Sequence, residues 1–234
     1  MNLSFVIVGV GGVGMNIAIS LVQIQKILDH QIKEIHLVDY DIIEKSNLNR
    51  LPMLNYIGKP KTHSLADFIL TNIGYENINV FPYCGDGLKY LKSGFHINGT
   101  NNILIILDCT DRTIVQKQVL EIAKNRPGGY DTIYMRVGNE NNIVNIEFND
   151  NYASKLKVHQ QGYVSTPTNP YYISGTLFLF YYELTKFLSE CIHFDEIKYD
   201  KFYKSRKVTY DLDLFENLNF IKHYKKSTDE VSNG

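Results

Sequence analysis

An apolar run, a glycine cluster and an amphipathic stretch follow one another without a break in LSFVIVGVGGVGMNIAISLVQI, and this junction limits the possible folds more than any other segment. Gly9, Gly11, Gly12 and Gly14 form G-x-G-G-x-G where the run ends. Glycine at such a point lets the chain turn tightly and lets backbone N–H groups approach a phosphate at the start of a helix. LSFVIVG reads as a buried strand, and VGMNIAISLVQIQKIL as a helix with Val13, Ile17, Leu21 and Ile24 at helical spacing. EIHLVD reads as a second strand ending in Asp39. A carboxylate there can accept both ribose hydroxyls of an adenine nucleotide. The other reading of Asp39 is a cap for the next turn.

The alternation continues down the chain. KTHSLADFILTNI is expected to be a helix, NINVFPYC a third strand, NNILIILD a fourth, and RTIVQKQVLEIAKNR a helix halted by Pro127 and two glycines. TIYMRV and IVNIEF, separated by the turn-rich GNENN, read as a strand pair. KVTYDLDLF and NFIKHY read as two final strands. The expectation is an α/β, Rossmann-like, mostly parallel sheet with helices on both faces and a C-terminal antiparallel strand extension. One domain over 1–234 is expected: a nucleotide-binding core over 1–148, a crossover loop over 149–170, a closing helix and strands over 171–225, and a frayed tail over 226–234.

Composition narrows the function classes. With 234 residues, 44% hydrophobic and 21% charged, the chain has the make-up of a soluble globular domain. A net charge of −1 offers no broad cationic surface, so nucleic acid is not an expected partner and any anion site is local. The most apolar stretch, YYISGTLFLFYYELTKFL, contains Glu183 and Lys186, which favours a buried helix over a membrane span. Its tyrosines are read as core and dimer-interface residues. Cys84, Cys109 and Cys191 are scattered and form no CxxC pair. No disulfide framework and no zinc are expected, and a reducing cytoplasm fits. Cys84 and Cys191 end an apolar strand and an apolar helix, where a buried, inert thiol is the default; Cys109 is read as a strand-end packing residue. No signal peptide is expected.

The choice of nucleotide turns on charge. A dinucleotide enzyme needs a neutral slot for nicotinamide, whereas here Arg50, Lys59 and Lys61 follow the presumed ribose acid. Such cations beside a glycine loop suit the outer phosphates of a triphosphate. Asp41 and Asp111 supply oxygen ligands for magnesium. Asp111 follows the fourth strand, at the edge where open α/β sheets bind ligands, and it also reads as an N-cap for the next helix.

In order and spacing, GxGGxG, VDYDIIEKSNLNR, IGKPK and DCTDR resemble the ThiF/MoeB superfamily, which includes ubiquitin-activating enzymes and the adenylating enzymes of sulfur-carrier proteins. KVTYDLDLFENLNFIKHY is similar to the strand pair that closes this fold, so the likeness extends to the end of the chain. The resemblance implies an Mg-ATP-dependent adenylyltransferase that activates the C-terminal carboxylate of a ubiquitin-like or sulfur-carrier protein ending in Gly-Gly. It implies Asp39 on the ribose, Asp41 near magnesium, and Asn47, Arg50 and Lys61 on the phosphates. It further implies Asp111 on magnesium at the reacting centre, with Arg50, Lys61 and Asp111 as the catalytic set, and a homodimer. Lys61 matches the family lysine better than Lys59.

The chain departs from that pattern in places. Strand one starts at residue 3, so the helix whose arginine reaches a neighbouring γ-phosphate has no counterpart here, and Arg112 stands where the family usually has asparagine. Residues 149 to 170 hold no cysteine to accept an acyl group, so adenylation without a thioester step is expected. Arg50 is followed by LP where glutamine is common. His159, Gln160, Gln161 and Tyr163 are read as a solvated loop with the option of touching a partner's tail, and His36 and His63 are given no chemistry. The alternatives are an inactive ThiF-fold subunit or scaffold and, more remotely, an NAD-dependent oxidoreductase.

Overall fold

The computed structural model describes residues 2–25, 31–48, 54–73, 78–93, 102–125, 131–140, 143–149, 170–192, 206–212 and 223–226. Among these, eight strands form one sheet: β1 (Asn2–Val8), β2 (Gln31–Asp39), β3 (Asn79–Cys84), β4 (Asn102–Asp108), β5 (Asp131–Glu140), β6 (Ile143–Phe148), β7 (Arg206–Asp211) and β8 (His223–Lys226). The spatial order is β3-β2-β1-β4-β5-β6-β7-β8. The first five strands in that order run parallel, and β6, β7 and β8 add on antiparallel. The order reverses between β1 and β4, where open α/β sheets leave a crevice beyond their strand ends.

Strand β1 is apolar from Phe5 to Val8 because both of its faces are covered. Leu3, Phe5 and Ile7 enter one buried cluster, with residues of α1 (Gly12–Ile24) and α5 (Pro170–Ile192). Val6 and Val8 enter the other, with Leu91 of α3 (Gly87–Lys92) and Val119, Leu120 and Ala123 of α4 (Thr113–Lys124). Helix α1 buries Gly14, Ile17, Ala18 and Leu21, one stripe at helical spacing. A Cβ at Gly14 would lie 2.1 Å from the carbonyl oxygen of Gly9, so only glycine lets the helix leave the strand this closely. Helix α2 (Lys61–Phe68) continues into a π-helical turn at Ile69–Ile73.

The expected elements are present among the described residues, and some readings need correction. Helix α3 has no counterpart in the sequence reading; it is a short turn in which Leu91 is buried and the Asp86 side chain accepts the Lys89 N–H. Strand β8 takes in Lys226, which was read as frayed tail. Cys84 is exposed, not buried, because β3 is an edge strand with its outer side open. Pro82 is tolerated there for the same reason. Residues 151–169, with His159, Gln160, Gln161 and Tyr163, lie outside the described residues, as do 227–234.

Helix α5 rests on the far half of the sheet. Thr176 Oγ1 accepts a hydrogen bond from Asn139 Nδ2 of β5 at 3.1 Å, and the buried Glu183 accepts one from the Tyr210 hydroxyl of β7. Its outer face carries Phe178, 60% exposed, and Tyr182, 50% exposed. No described helix is long and apolar enough to cross a membrane. His36 lies on β2 and is buried, touching Tyr90 Oη through Nδ1 (2.6 Å) and Glu34 Oε2 through Nε2 (3.3 Å). His63 lies on α2.

Candidate nucleotide site

Segments distant in sequence meet at the carboxyl ends of β1, β2 and β4. The glycine loop leaves β1 with Gly9 at φ 91°, a left-handed conformation suited to glycine. A Cβ at Gly9 would lie 3.0 Å from the carbonyl group of Cys109, so the loop packs against the turn that follows β4. Gly11, by contrast, has open space where its side chain would be. Gly11 caps α1 and Gly12 begins it, so the first amide groups of this helix open on that space.

Asp39 ties the loop to the next segment. Its Oδ2 accepts the Val10 N–H at 2.6 Å and its Oδ1 the Asp41 N–H at 2.9 Å. The second bond makes the turn-capping reading true of the backbone at Asp41, although no α-helix starts there. The half-buried carboxylate keeps unused lone pairs, as a ribose acceptor requires.

The charged loop and the GKPK arm are zipped together. Ile42 bridges Pro60, Ile43 N–H donates to Lys59 O at 2.9 Å, and Lys61 N–H donates to Asp41 O at 2.9 Å. The Lys61 ammonium then donates to Asp41 Oδ2 at 2.8 Å, its side chain only 10% exposed against 48% for Asp41. Lys61 is thus fixed at the first turn of α2, whereas the Lys59 ammonium rests 5.2 Å above the Tyr56 ring. Asn47, 7% exposed, accepts the Glu44 N–H at 3.0 Å through its side-chain oxygen, half of a reciprocal cap on the turn at Lys45–Asn47. Arg50 lies outside the described residues.

The turn after β4 is built on a buried carboxylate absent from the sequence-derived site. Asp108 is 0% exposed; its Oδ1 accepts Thr110 N–H (3.0 Å) and Thr110 Oγ1–H (2.7 Å), and its Oδ2 accepts the Tyr134 hydroxyl (3.0 Å). Gln116 of α4, also buried, donates to Thr110 O at 2.6 Å. These bonds hold the chain so that Asp111, exposed and without a partner among the described residues, stands beyond the sheet edge. The capping position of α4 is Arg112, whose side chain makes no cap, so the capping role read for Asp111 does not hold. Burial raises the Asp108 pKa above its ordinary value, opposed by the bonds from Thr110 and Tyr134 and by the Arg136 charge. Burial, helped by Asp108, also pushes the Cys109 thiol well above its usual range, which makes it a poor nucleophile.

The sequence model of the ThiF family matches residues 1–130. That match spans more than half of the chain's 234 residues. The chain belongs to the ThiF family. No curated protein matches it. Among solved structures it is similar to Escherichia coli MccB with ATP, at 17% identity and TM-score 0.63, covering 95% of this chain and 63% of that one. It is also similar to the microcin C7 biosynthetic enzyme MccB with N-formylated MccA (15% identity, TM-score 0.62, 95% and 64% covered). A third is PaaA (18% identity, TM-score 0.58, 95% and 63% covered). The chain therefore spans less than two thirds of these proteins' length, and at such identities the likeness concerns the fold.

The ThiF-type residues thus converge in part. The glycine loop and Asp39 share direct bonds, Asp41 and Lys61 form one ion pair next to them, and Asp111 stands on the adjacent turn. Among the described residues no group of three or more His, Cys, Asp and Glu side chains is assembled to hold a metal. Asp41 and Asp111 are carboxylates at the surface, and oxygen donors of this kind suit magnesium, which keeps several waters and takes one or two carboxylates besides phosphate oxygens. Asp108, Gln116 and Tyr134 are the residues that motif reading passed over. Their signal was slight: a second aspartate within DCTDR and a glutamine on the helix's inner stripe.

Proposed function

We infer that this chain catalyses the ATP-dependent adenylation of a C-terminal carboxylate on a small protein or peptide. The observation that carries the reading is the ion pair of Lys61 and Asp41, tied through Asp39 to the glycine loop beside an Asp111 that has no partner among the described residues. In the proposed reaction the open amides of the glycine loop receive phosphate oxygens, and Asp39 accepts the ribose hydroxyls. Lys61 and Arg50 balance the phosphate charge, and Asn47 lies with them on the phosphates. The substrate carboxylate attacks the α-phosphorus; the bond to the α,β-bridging oxygen breaks, and pyrophosphate departs with that electron pair. The products are an acyl adenylate and pyrophosphate. Asp41 and Asp111 would hold magnesium, which when bound neutralises charge on the phosphates. The protein's part is alignment and electrostatic stabilisation, so a site of fixed charges suffices and no nucleophile of its own is needed.

The finer reading is that the substrate is a ubiquitin-like or sulfur-carrier protein ending in Gly-Gly, that the chain works as a homodimer, and that it is cytoplasmic. Unpaired Cys84 and Cys109 agree with a reducing compartment. The exposed Phe178 and Tyr182 of α5 agree with a subunit contact. That E. coli MccB has been crystallised with ATP and with MccA supports a nucleotide and a partner sharing such a fold.

The test is ATP–pyrophosphate exchange with a panel of small proteins ending in Gly-Gly. Adenylation requires exchange that depends on one such partner and is abolished in Asp111→Ala with nucleotide binding retained. Nucleotide binding with no exchange for any partner would point to an inactive scaffold instead.

A further inference from the structure

The strand register places a buried charge level with the nucleotide loop. Val38, Val8, Asp108, Arg136 and Glu147 occupy one rung across β2, β1, β4, β5 and β6. Val8 is the residue from which the glycine loop departs and Asp108 the one from which the Asp111 turn departs. Arg136 is two strands from Val8, roughly 10 Å at ordinary strand spacing.

Arg136 is 7% exposed, yet its guanidinium makes one hydrogen bond among the described residues, Nη1 to Glu147 Oε1 at 3.1 Å. Nε is enclosed and has no partner among the described residues. Asp108, on the neighbouring strand, accepts from Thr110 and Tyr134 and makes no hydrogen bond to these donors. The free edge of the guanidinium, Nε and Nη2, is the edge that grips a carboxylate with two parallel bonds. A buried donor without an acceptor is costly, so an unfilled fork at a ligand edge marks a place where a ligand supplies the acceptor.

Gly138, two residues on and on the same face of β5, leaves room beside Nη2 that a side chain would take. A Cβ there would lie 3.2 Å from Nη2 and narrow the approach. Glu147, 0% exposed, already balances the arginine's charge. A planar anion of single charge suits such a pair better than a polyphosphate, for which Lys61 serves on the β2 side.

We propose that Arg136 receives the terminal carboxylate of the acyl substrate and holds it beside the Asp111 turn, a role that rests on the adenylation reading. The substrate end is then a free α-carboxylate on an extended chain whose last residues pass over Gly138.

The experiment uses the full chain saturated with magnesium and an ATP analogue carrying a methylene between its α and β phosphorus atoms. Acetyl-glycyl-glycine and its C-terminal amide are titrated in, and the Arg136 Nε–H resonance is followed by NMR. The acid is expected to shift that resonance and the amide to leave it in place. Arg136→Gln combined with Glu147→Gln removes both charges together, and thermal unfolding checks that it folds. Gly138→Val crowds the approach while keeping both charges. Both are expected to weaken binding of the acid by about tenfold or more and to leave the affinity for the analogue within a factor of about two. Equal binding of acid and amide would overturn the proposal, as would unchanged acid binding by both variants. Loss of analogue affinity in the double variant would overturn it in favour of a phosphate contact. Failure of the wild type to bind the analogue would overturn the adenylation reading as well, whereas normal analogue binding with indifference to the carboxylate overturns only the role of Arg136.

Discussion

Asp39 binds two backbone amides at once, and for that reason it is more than a ribose contact. In Asp39→Ala the Val10 N–H, on a residue that is itself 0% exposed, loses its acceptor. An amide orphaned in this way costs about 1–3 kcal/mol, and the glycine loop loses its tether. Thermal unfolding should show that loss, and calorimetry should show ATP affinity reduced by about tenfold or more. Asp108 allows a pH test. Burial raises its folded-state pKa above the ordinary 3.8, so between those two values the folded state holds the proton more tightly than the unfolded chain. Its contribution is fully present below the unfolded value and is lost as pH rises through the folded one. In Asp108→Asn, where the amide can donate to the Tyr134 hydroxyl oxygen and still accept from Thr110, that fall should vanish from a plot of unfolding free energy against pH. A fall of the same slope in the variant would remove Asp108 as its source.

Residues at the ends of elements were legible in the sequence, and residues within strands were not. Asp39, Asp111 and Lys61 stand where a strand gives way to a loop or a helix begins, so polarity there signals a ligand edge. Arg136 and Glu147 sit inside TIYMRV and IVNIEF, where a charged residue in an alternating strand reads as solvent-facing. Their burial depends on the β5–β6 register, which pairs them directly and which no local pattern reveals. The asymmetry of that pair can be measured. Arg136→Met takes the guanidinium away from the buried Glu147 carboxylate, a change that costs up to about 3–5 kcal/mol, whereas replacing both by apolar residues should cost far less. Equal losses in the single and double variants, by chemical denaturation, would show that the two charges do not act together. Helix α3 escaped reading because GLKYLK spans under two turns and buries one large side chain, too little for a periodic signal. Helix α1 was legible from its stripe, and Gly14 from its motif, but not the 2.1 Å approach that makes glycine necessary there.

At the scale of the molecule, strand order turns a list of motifs into a site. The glycine loop, the Asp39 turn and the Asp111 turn follow β1, β2 and β4, which are neighbours in space although β3 separates the last from the others in sequence. The half of the sheet beyond β4 presents Arg136 on one face and carries α5 on the other. If the exposed face of α5 joins two subunits, Phe178→Glu combined with Tyr182→Glu should convert the assembly to monomers by sedimentation analysis; an unchanged mass would exclude that face. The reading as an adenylating enzyme depends first on which nucleotide this edge accepts. Calorimetric titration with ATP and with NAD, each with and without magnesium, on the wild type and on Lys61→Ala, decides that directly. Adenylation predicts magnesium-dependent binding of ATP that is lost or severely weakened in Lys61→Ala. Tight binding of NAD indifferent to magnesium, or ATP binding untouched by the loss of Lys61, would contradict it.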